Sequence, residues 1–166
     1  MPDIILKINT PEDKIYTSDH ICCYWFASKP GADQRQQTAA AGKLILASPD
    51  IDIADNDGVV VAVDSAKPLK AQIRPWREKI GGKRALGVII NPTRHEAMLA
   101  SETEPEFVAF RFSQNNAAAA SEVIKWYNEL FLIQSAVDLS GGLVDIQGLD
   151  VDFVIINSSD YDDFSC

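Results

Sequence analysis

Residues 58–63 (GVVVAV), 66–80 (AKPLKAQIRPWREKI), 85–90 (ALGVII), 93–102 (TRHEAMLASE) and 107–112 (FVAFRF) read as strand, helix, strand, helix, strand. The three apolar runs are short, rich in Val and Ile, and do not alternate with polar residues, which suits strands buried on both faces of a parallel sheet. Strands joined through helices run parallel, with right-handed crossovers. This stretch decides an α/β fold.

Working outward, residues 4–8 (IILKI), 20–28 (HICCYWFAS) and 43–48 (KLILAS) are strand candidates before it, with an Ala-rich helix ending at Gly42 between the last two. NTPEDKIYTSD is a polar connection too broken for a substantial helix, and SPDIDIADN allows one or two helical turns at most. Pro68 suits a first helical turn, whereas Pro75 is expected to kink or divide the helix that carries Leu69, Ile73, Trp76 and Ile80 on one face. Gly81-Gly82 ends that helix, and Thr93 with Glu96 has capping-box spacing. Beyond it, Asn115 or Asn116 caps a helix with Val123, Ile124 and Tyr127 inward. LFLIQS (130–135) reads as a seventh strand, SGGLVDIQGLD as a short helical segment, and FVIIN (153–157) as an eighth strand without a helix after it.

The late strands begin near residues 59, 86, 107, 130 and 153, a repeated βα unit without residue-level repetition. Such regularity indicates a (β/α)8 TIM barrel or a doubly wound open sheet, and eight candidate strands favour the barrel. Barrels of this kind seldom fall below about 200 residues, so a chain of 166 implies a compact or incomplete one, forming a single domain over residues 1–166.

Twenty-four acidic side chains against fifteen basic ones give a formal charge of −9, which repels nucleic acid and anionic membranes. No apolar run is long enough to span a membrane, and no basic-then-apolar leader opens the chain, so the cytoplasm is the expected compartment. Cys22 and Cys23, adjacent on a strand, should point to opposite faces and act as small apolar residues. With Cys166 they form no zinc or thioredoxin-like spacing.

Three blocks resemble the thiamin-phosphate synthase family, which includes the thiazole tautomerases. SPDIDIADNDGVVVAVDS resembles its passage from the third to the fourth strand, ALGVIINPTRHEAMLASETEPEFVAF its next two strands, and LFLIQSAVDLSGGLVDIQGLDVDFVIINSS its closing phosphate-binding half. The resemblance implies a barrel that joins a pyrimidine pyrophosphate to a thiazole phosphate, with magnesium and cationic side chains stabilising the departing pyrophosphate. Yet Val60–Val63 stand where the family has His-x-Gly-Gln. Only Asp64 answers its magnesium-binding Asp pair, and only Lys29 survives of its Gln-x-Arg-x-Lys run. RFSQNN replaces the Pro-Thr-x-Thr-Lys loop, and Ser135-Ala136 replace the paired glycines, while Ser158 and Ser159 remain. The pattern is that of a degenerate member, with weak or lost turnover.

Barrel sites lie at the strand C-terminal ends. Asn91, Ser135, Ser158 and Ser159 are candidate ligand- or phosphate-binding residues there, and Lys29 and Arg111 are the candidate catalytic cations. Asp64 either binds magnesium or caps the following helix. Arg111, inside an apolar strand, needs an acidic partner or an anionic ligand. His95 is near a strand end, His20 is at the opposite end, and DYDD (160–163) reads as a solvated acidic run. Three functions follow: a thiamin-phosphate synthase-like enzyme of small phosphorylated substrates; a non-catalytic barrel that binds a phosphorylated ligand or a protein partner; or a sugar-phosphate isomerase or epimerase, for which an acid–base pair at opposing strand ends is needed and none is evident. A missing last helix should leave an apolar flank on the eighth strand and favour self-association into a homo-oligomer.

Overall fold

The computed structural model describes residues 2–164, and Cys166 lies outside them. Eight parallel strands close into a barrel in chain order. They are β1 (Asp3–Ile8), β2 (Ile21–Phe26), β3 (Leu44–Ala47), β4 (Gly58–Ala62), β5 (Ala85–Ile90), β6 (Phe107–Arg111), β7 (Gln134–Asp138) and β8 (Phe153–Asn157). β1 pairs with β8, which leaves no free sheet edge among the described residues. The (β/α)8 expectation holds, and the compactness is in the outer ring. Among the described residues, α-helices follow only β2, β4, β5 and β6: α1 (Ala32–Ala41), α2 (Leu69–Ile80), α3 (Arg94–Ser101) and α4 (Ala117–Leu130). A 3₁₀ helix, Ser158–Asp163, follows β8.

Alternation along the strands divides the core in two. Ile5, Cys23, Trp25, Leu46, Val60, Ile89, Phe107, Ala109, Ala136 and Ile155 fill the barrel, while residues of opposite parity such as Leu6, Tyr24, Val61, Val88, Phe110 and Ile156 face the outer layer. Gly87 makes room for the largest interior side chain beside it: a Cβ there would lie 2.1 Å from the Phe107 ring.

Two connections that lack a helix share a clasp at their base. Asp57 and Asp152 each immediately precede a strand, β4 and β8. Asp57 N donates to Ile45 O (2.7 Å) while Ile45 N donates to Asp57 Oδ2 (2.8 Å). Asp152 N donates to Ser135 O (2.9 Å) and Ser135 N to Asp152 Oδ2 (3.0 Å). A carboxylate thus satisfies an early amide of the preceding strand that would otherwise be left without a partner. The helix-free β1–β2 connection is held differently. Buried Gln34 of α1 donates to the carbonyls of Thr10 and Asp13, both at 2.8 Å.

Four local expectations change. Pro75 does not divide α2, which runs unbroken from Leu69 to Ile80, because burial of Leu69, Ile73 and Ile80 outweighs one lost backbone bond. Residues 141–150 form turns and extended chain, although Ile146 is buried as expected. The seventh strand begins at Gln134 instead of Leu130: Leu130 ends α4, and Leu132 is fully exposed. Finally, Cys22 and Cys23 do not diverge. The β1–β2 register slips between Ile4 and Ile5, opposite Ile21 and Cys23, and this irregularity brings the two Sγ atoms to 3.5 Å. Their shared hydrogen bond lowers the Cys22 pKa, while the same bond and burial raise that of Cys23.

The flank of β8 is not bare. Tyr16 and Tyr161 stack with ring centres 4.2 Å apart, and both pack with Phe164 against the core. Leu44, Leu130 and Leu132 are instead exposed at or beside the strand N-terminal ends. No helix among the described residues is long and apolar enough to cross a membrane.

Candidate functional site at the barrel mouth

Interior-facing positions turn polar at the C-terminal ends of the strands. Lys7 of β1, Asn91 after β5, Arg111 of β6, Asp138 of β7 and Asn157 of β8 all share the parity of the interior residues, as does Trp25 of β2. Ala62, at the end of β4, is exposed although it is apolar, so the mouth is open on that side.

Arg111 is the centre of the best-connected group. It donates to Asn91 Oδ1 (3.1 Å) and to the Val63 carbonyl (2.7 Å). Asn91 Nδ2 donates to Ser65 Oγ (2.7 Å), and Ser65 donates to Glu96 Oε2 (3.0 Å). Glu96 Oε1 accepts the Asn91 amide at 3.1 Å. This last contact modifies the anticipated capping box. Thr93 accepts from Glu96 N at 3.2 Å, but the Glu96 side chain turns to the mouth instead of the helix start. The chain of contacts runs from α3 through the loop after β4 to β6.

Arg111 has no carboxylate within 4.0 Å among the described residues. The structural ion pair considered for it is therefore not formed, and both its protein partners are neutral oxygens. A half-buried guanidinium has five N–H donors and keeps its charge. Those not used on Asn91 and Val63 are available to an anion.

Opposite this group, Lys7 Nζ lies 4.4 Å from the centre of the Trp25 ring, and Trp25 Nε1 donates to Ser48 Oγ at 2.9 Å. Burial lowers the Lys7 pKa, and the negative charge of Asp138 partly opposes that shift. Asp138 is buried, and its Oδ1 accepts from Ser140 N at 3.0 Å. Asn157 closes the ring, donating to Ser140 O (2.8 Å) and accepting from Asn9 Nδ2 (2.8 Å).

The residues singled out from sequence fall into three groups. Asn91 and Arg111 meet at the mouth. Lys29, exposed in the β2–α1 connection, and Ser159, exposed after β8, stand outside that contact chain. Ser158 is buried, but its hydroxyl donates to the Lys14 carbonyl and holds the β1–β2 connection. Ser135 is a correction: it lies near the start of β7, at the stability end, where its amide belongs to the Asp152 clasp. The displacement follows from the misplaced seventh strand. Its true end is Asp138.

Asp64 is exposed after β4. Its Oδ1 accepts from Ala66 N (3.0 Å), and Lys67 Nζ lies 4.0 Å from its other oxygen. No cluster of three or more His, Cys, Asp or Glu suited to a metal occurs among the described residues. One carboxylate beside an ammonium does not suit a magnesium ion, which asks for several oxygen ligands. His95 is exposed on α3, and in the DYDD run Asp160 and Asp162 accept from Asn157 and Tyr16.

Sequence reasoning missed Lys7, Trp25 and Asp138. For Lys7 the signal was present: like Arg111, it is a cation inside an apolar strand, one residue before its end. A larger cavity of about 630 Å³ lies elsewhere, between α4 and the β7–β8 connection. It contains none of the polar mouth residues, and in barrels of this type chemistry is found at the strand C-terminal ends.

Solved structures share this fold. KGPDC from Streptococcus mutans superposes with a TM-score of 0.59 at 15% identity, over 95% of this chain and 88% of that one. The same protein solved in complex with a small phosphorylated ligand gives 0.58 at the same identity and coverage. Tryptophan synthase from M. tuberculosis gives 0.57 at 14% identity, over 95% and 83%. A NadC deletion mutant gives 0.52 at 12%, over 93% of this chain but 48% of that one. At such identities the likeness establishes the barrel alone. No protein-family model matches the chain, and no curated protein matches it.

Proposed function

We propose that this barrel binds a small phosphorylated molecule at its mouth, and that it is a thiamin-phosphate synthase-like protein whose synthase turnover is weak or lost. The observation that carries the binding half is Arg111. A permanent charge is placed inside the barrel mouth on two neutral acceptors, with no carboxylate to neutralise it among the described residues. Burying such a charge is costly unless an anion meets it, and a phosphate matches the guanidinium fork. Asn91 and Ser65 orient Arg111 by accepting and relaying its hydrogen bonds. The ligand complex of S. mutans KGPDC is an example of the same fold with a phosphorylated compound bound.

Kinship with the synthases rests on the three resembling blocks, and loss of turnover rests on the substitutions within them. Asp64 offers a poor magnesium site, so no step is routed through that ion. Two measurements test the reading. Calorimetric titration with inorganic pyrophosphate should show saturable binding that Arg111→Gln weakens. A coupled assay with the pyrimidine pyrophosphate and the thiazole phosphate should show little or no thiamin phosphate. Rapid product formation would overturn the degenerate reading, and unchanged binding by the Arg111 variant would remove the anion site.

A further inference from the structure

Lys7 and Asp138 are the two charged groups of the mouth that the Arg111 contacts do not use. Lys7 is half-buried, lies against the Trp25 ring, and has no carboxylate within 4.0 Å among the described residues. Its strand neighbours at the same register, Trp25 on β2 and Asn157 on β8, carry no charge. Asp138 is 8% exposed, with one carboxylate oxygen accepting from Ser140 N and the other in no hydrogen bond among the described residues. It stands in register with Arg111 on β6. An amine against an aromatic wall, a buried carboxylate with an unused oxygen, and a guanidinium therefore lie around one opening.

A lysine in such a place differs chemically from one at the surface. Desolvation favours the uncharged amine, whose lone pair is the nucleophile. The buried carboxylate can take the ammonium proton and return it elsewhere. This is the acid–base pair that the sequence did not reveal.

We propose that Lys7 is a carbonyl-reactive amine with Asp138 as its proton carrier, and that the ligand class is a small phosphorylated aldehyde or ketone whose phosphate is held by Arg111. The inference rests on the phosphate reading above and adds the reacting end of the ligand. The Lys7 ammonium gives a proton to the Asp138 carboxylate. The freed nitrogen pair forms a bond to the carbonyl carbon, and the C=O π pair moves onto oxygen. That oxygen takes the proton back from Asp138, and a second nitrogen proton follows by the same route. The C–O bond then breaks and water leaves. The sum is ammonium plus carbonyl giving protonated imine plus water, with no oxidant or reductant required.

The test uses the full chain and pyridoxal 5′-phosphate as a phosphorylated aldehyde probe, with borohydride reduction and peptide mass mapping. At neutral pH the Lys7 peptide should be labelled about tenfold faster than the peptides of exposed Lys29 or Lys67, since each unit of pKa depression yields tenfold more free amine. Labelling no faster than at those surface lysines overturns the inference. Asp138→Asn should move the labelling midpoint to lower pH, because the carboxylate holds the ammonium proton in place; an unmoved midpoint removes Asp138 from the role. Arg111→Gln should slow labelling by the phosphorylated probe but not by pyridoxal. If the Arg111 variant reacts equally with both probes while Lys7 remains selective, the phosphate reading fails and the amine stands. If pyrophosphate binds through Arg111 but Lys7 is not selectively labelled, the amine fails alone.

Discussion

The two ends of the barrel use polar residues in opposite ways. At the N-terminal end, Asp57 and Asp152 commit their carboxylates to strand amides, each in a two-bond clasp with the preceding strand. At the C-terminal end, Arg111, Asn91, Ser65 and Glu96 bond mainly to one another, while Lys7 and Asp138 keep unused capacity. The first arrangement completes the backbone, and nothing further is needed. The second leaves donors and charge turned towards an opening, which is the requirement for a ligand site. Both ends are rich in polar residues, so composition does not distinguish them. What differs is whether the partner is backbone or side chain.

This contrast can be broken most directly by exchanging its effects. Arg111→Gln should reduce pyrophosphate affinity by about 10- to 100-fold, the worth of one charge-assisted hydrogen bond, with only a small change in the urea midpoint. Asp57→Ala should do the reverse. Pyrophosphate binding should persist, while equilibrium unfolding should show a loss of about 1–3 kcal/mol from an unsatisfied Ile45 amide. Ligand loss in the Asp57 variant with stability intact would show that the two ends are not separate in function.

Between the ends, Gly87→Ala tests the interior packing. The new methyl would collide with the Phe107 ring, and unfolding should register a loss of about 1–3 kcal/mol. Lys7→Met addresses the unused charge. Because burial lowers the folded-state pKa of Lys7 below 10.5, the unfolded chain binds more protons between that lowered value and 10.5. Wild-type stability attributable to this group therefore rises with pH across that window, and at neutral pH the charged form is a burden. Lys7→Met should be the more stable protein at neutral pH, with an advantage that shrinks as pH rises. An advantage constant with pH would assign the effect to packing instead. The smallest effect concerns the cysteines. Cys22 should react with iodoacetamide before Cys23, since it is the more exposed thiol and the one whose pKa is lowered.

Much of the barrel is legible because its strands are apolar on both faces, and such runs can be recognised without knowledge of their neighbours. GVVVAV, ALGVII and FVAFRF each give a strand at the expected place. LFLIQS misleads because an apolar run can also end a helix and cross a loop. Leu130 belongs to α4, Leu132 is exposed, and pairing with β6 selects Gln134–Asp138. That one shift exchanged Asp138 for Ser135 in the predicted mouth. The cysteine pair escaped for a related reason. Alternation assumes a regular register, and the slip between Ile4 and Ile5 is a property of two strands together.

By itself, the amino-acid sequence determined the parallel barrel, the caps at Gly42 and Thr93, and the fact that Arg111 required an anion or an acid. Hydrophobic pattern and charge are local, so they survive without coordinates. Only the tertiary structure decided which polar residues face one another. It gave Arg111 to Asn91 and a carbonyl, turned Glu96 towards the mouth, and set Lys7 and Asp138 around the same opening. Those neighbours come from different strands, and closure of the ring is the event that brings them together.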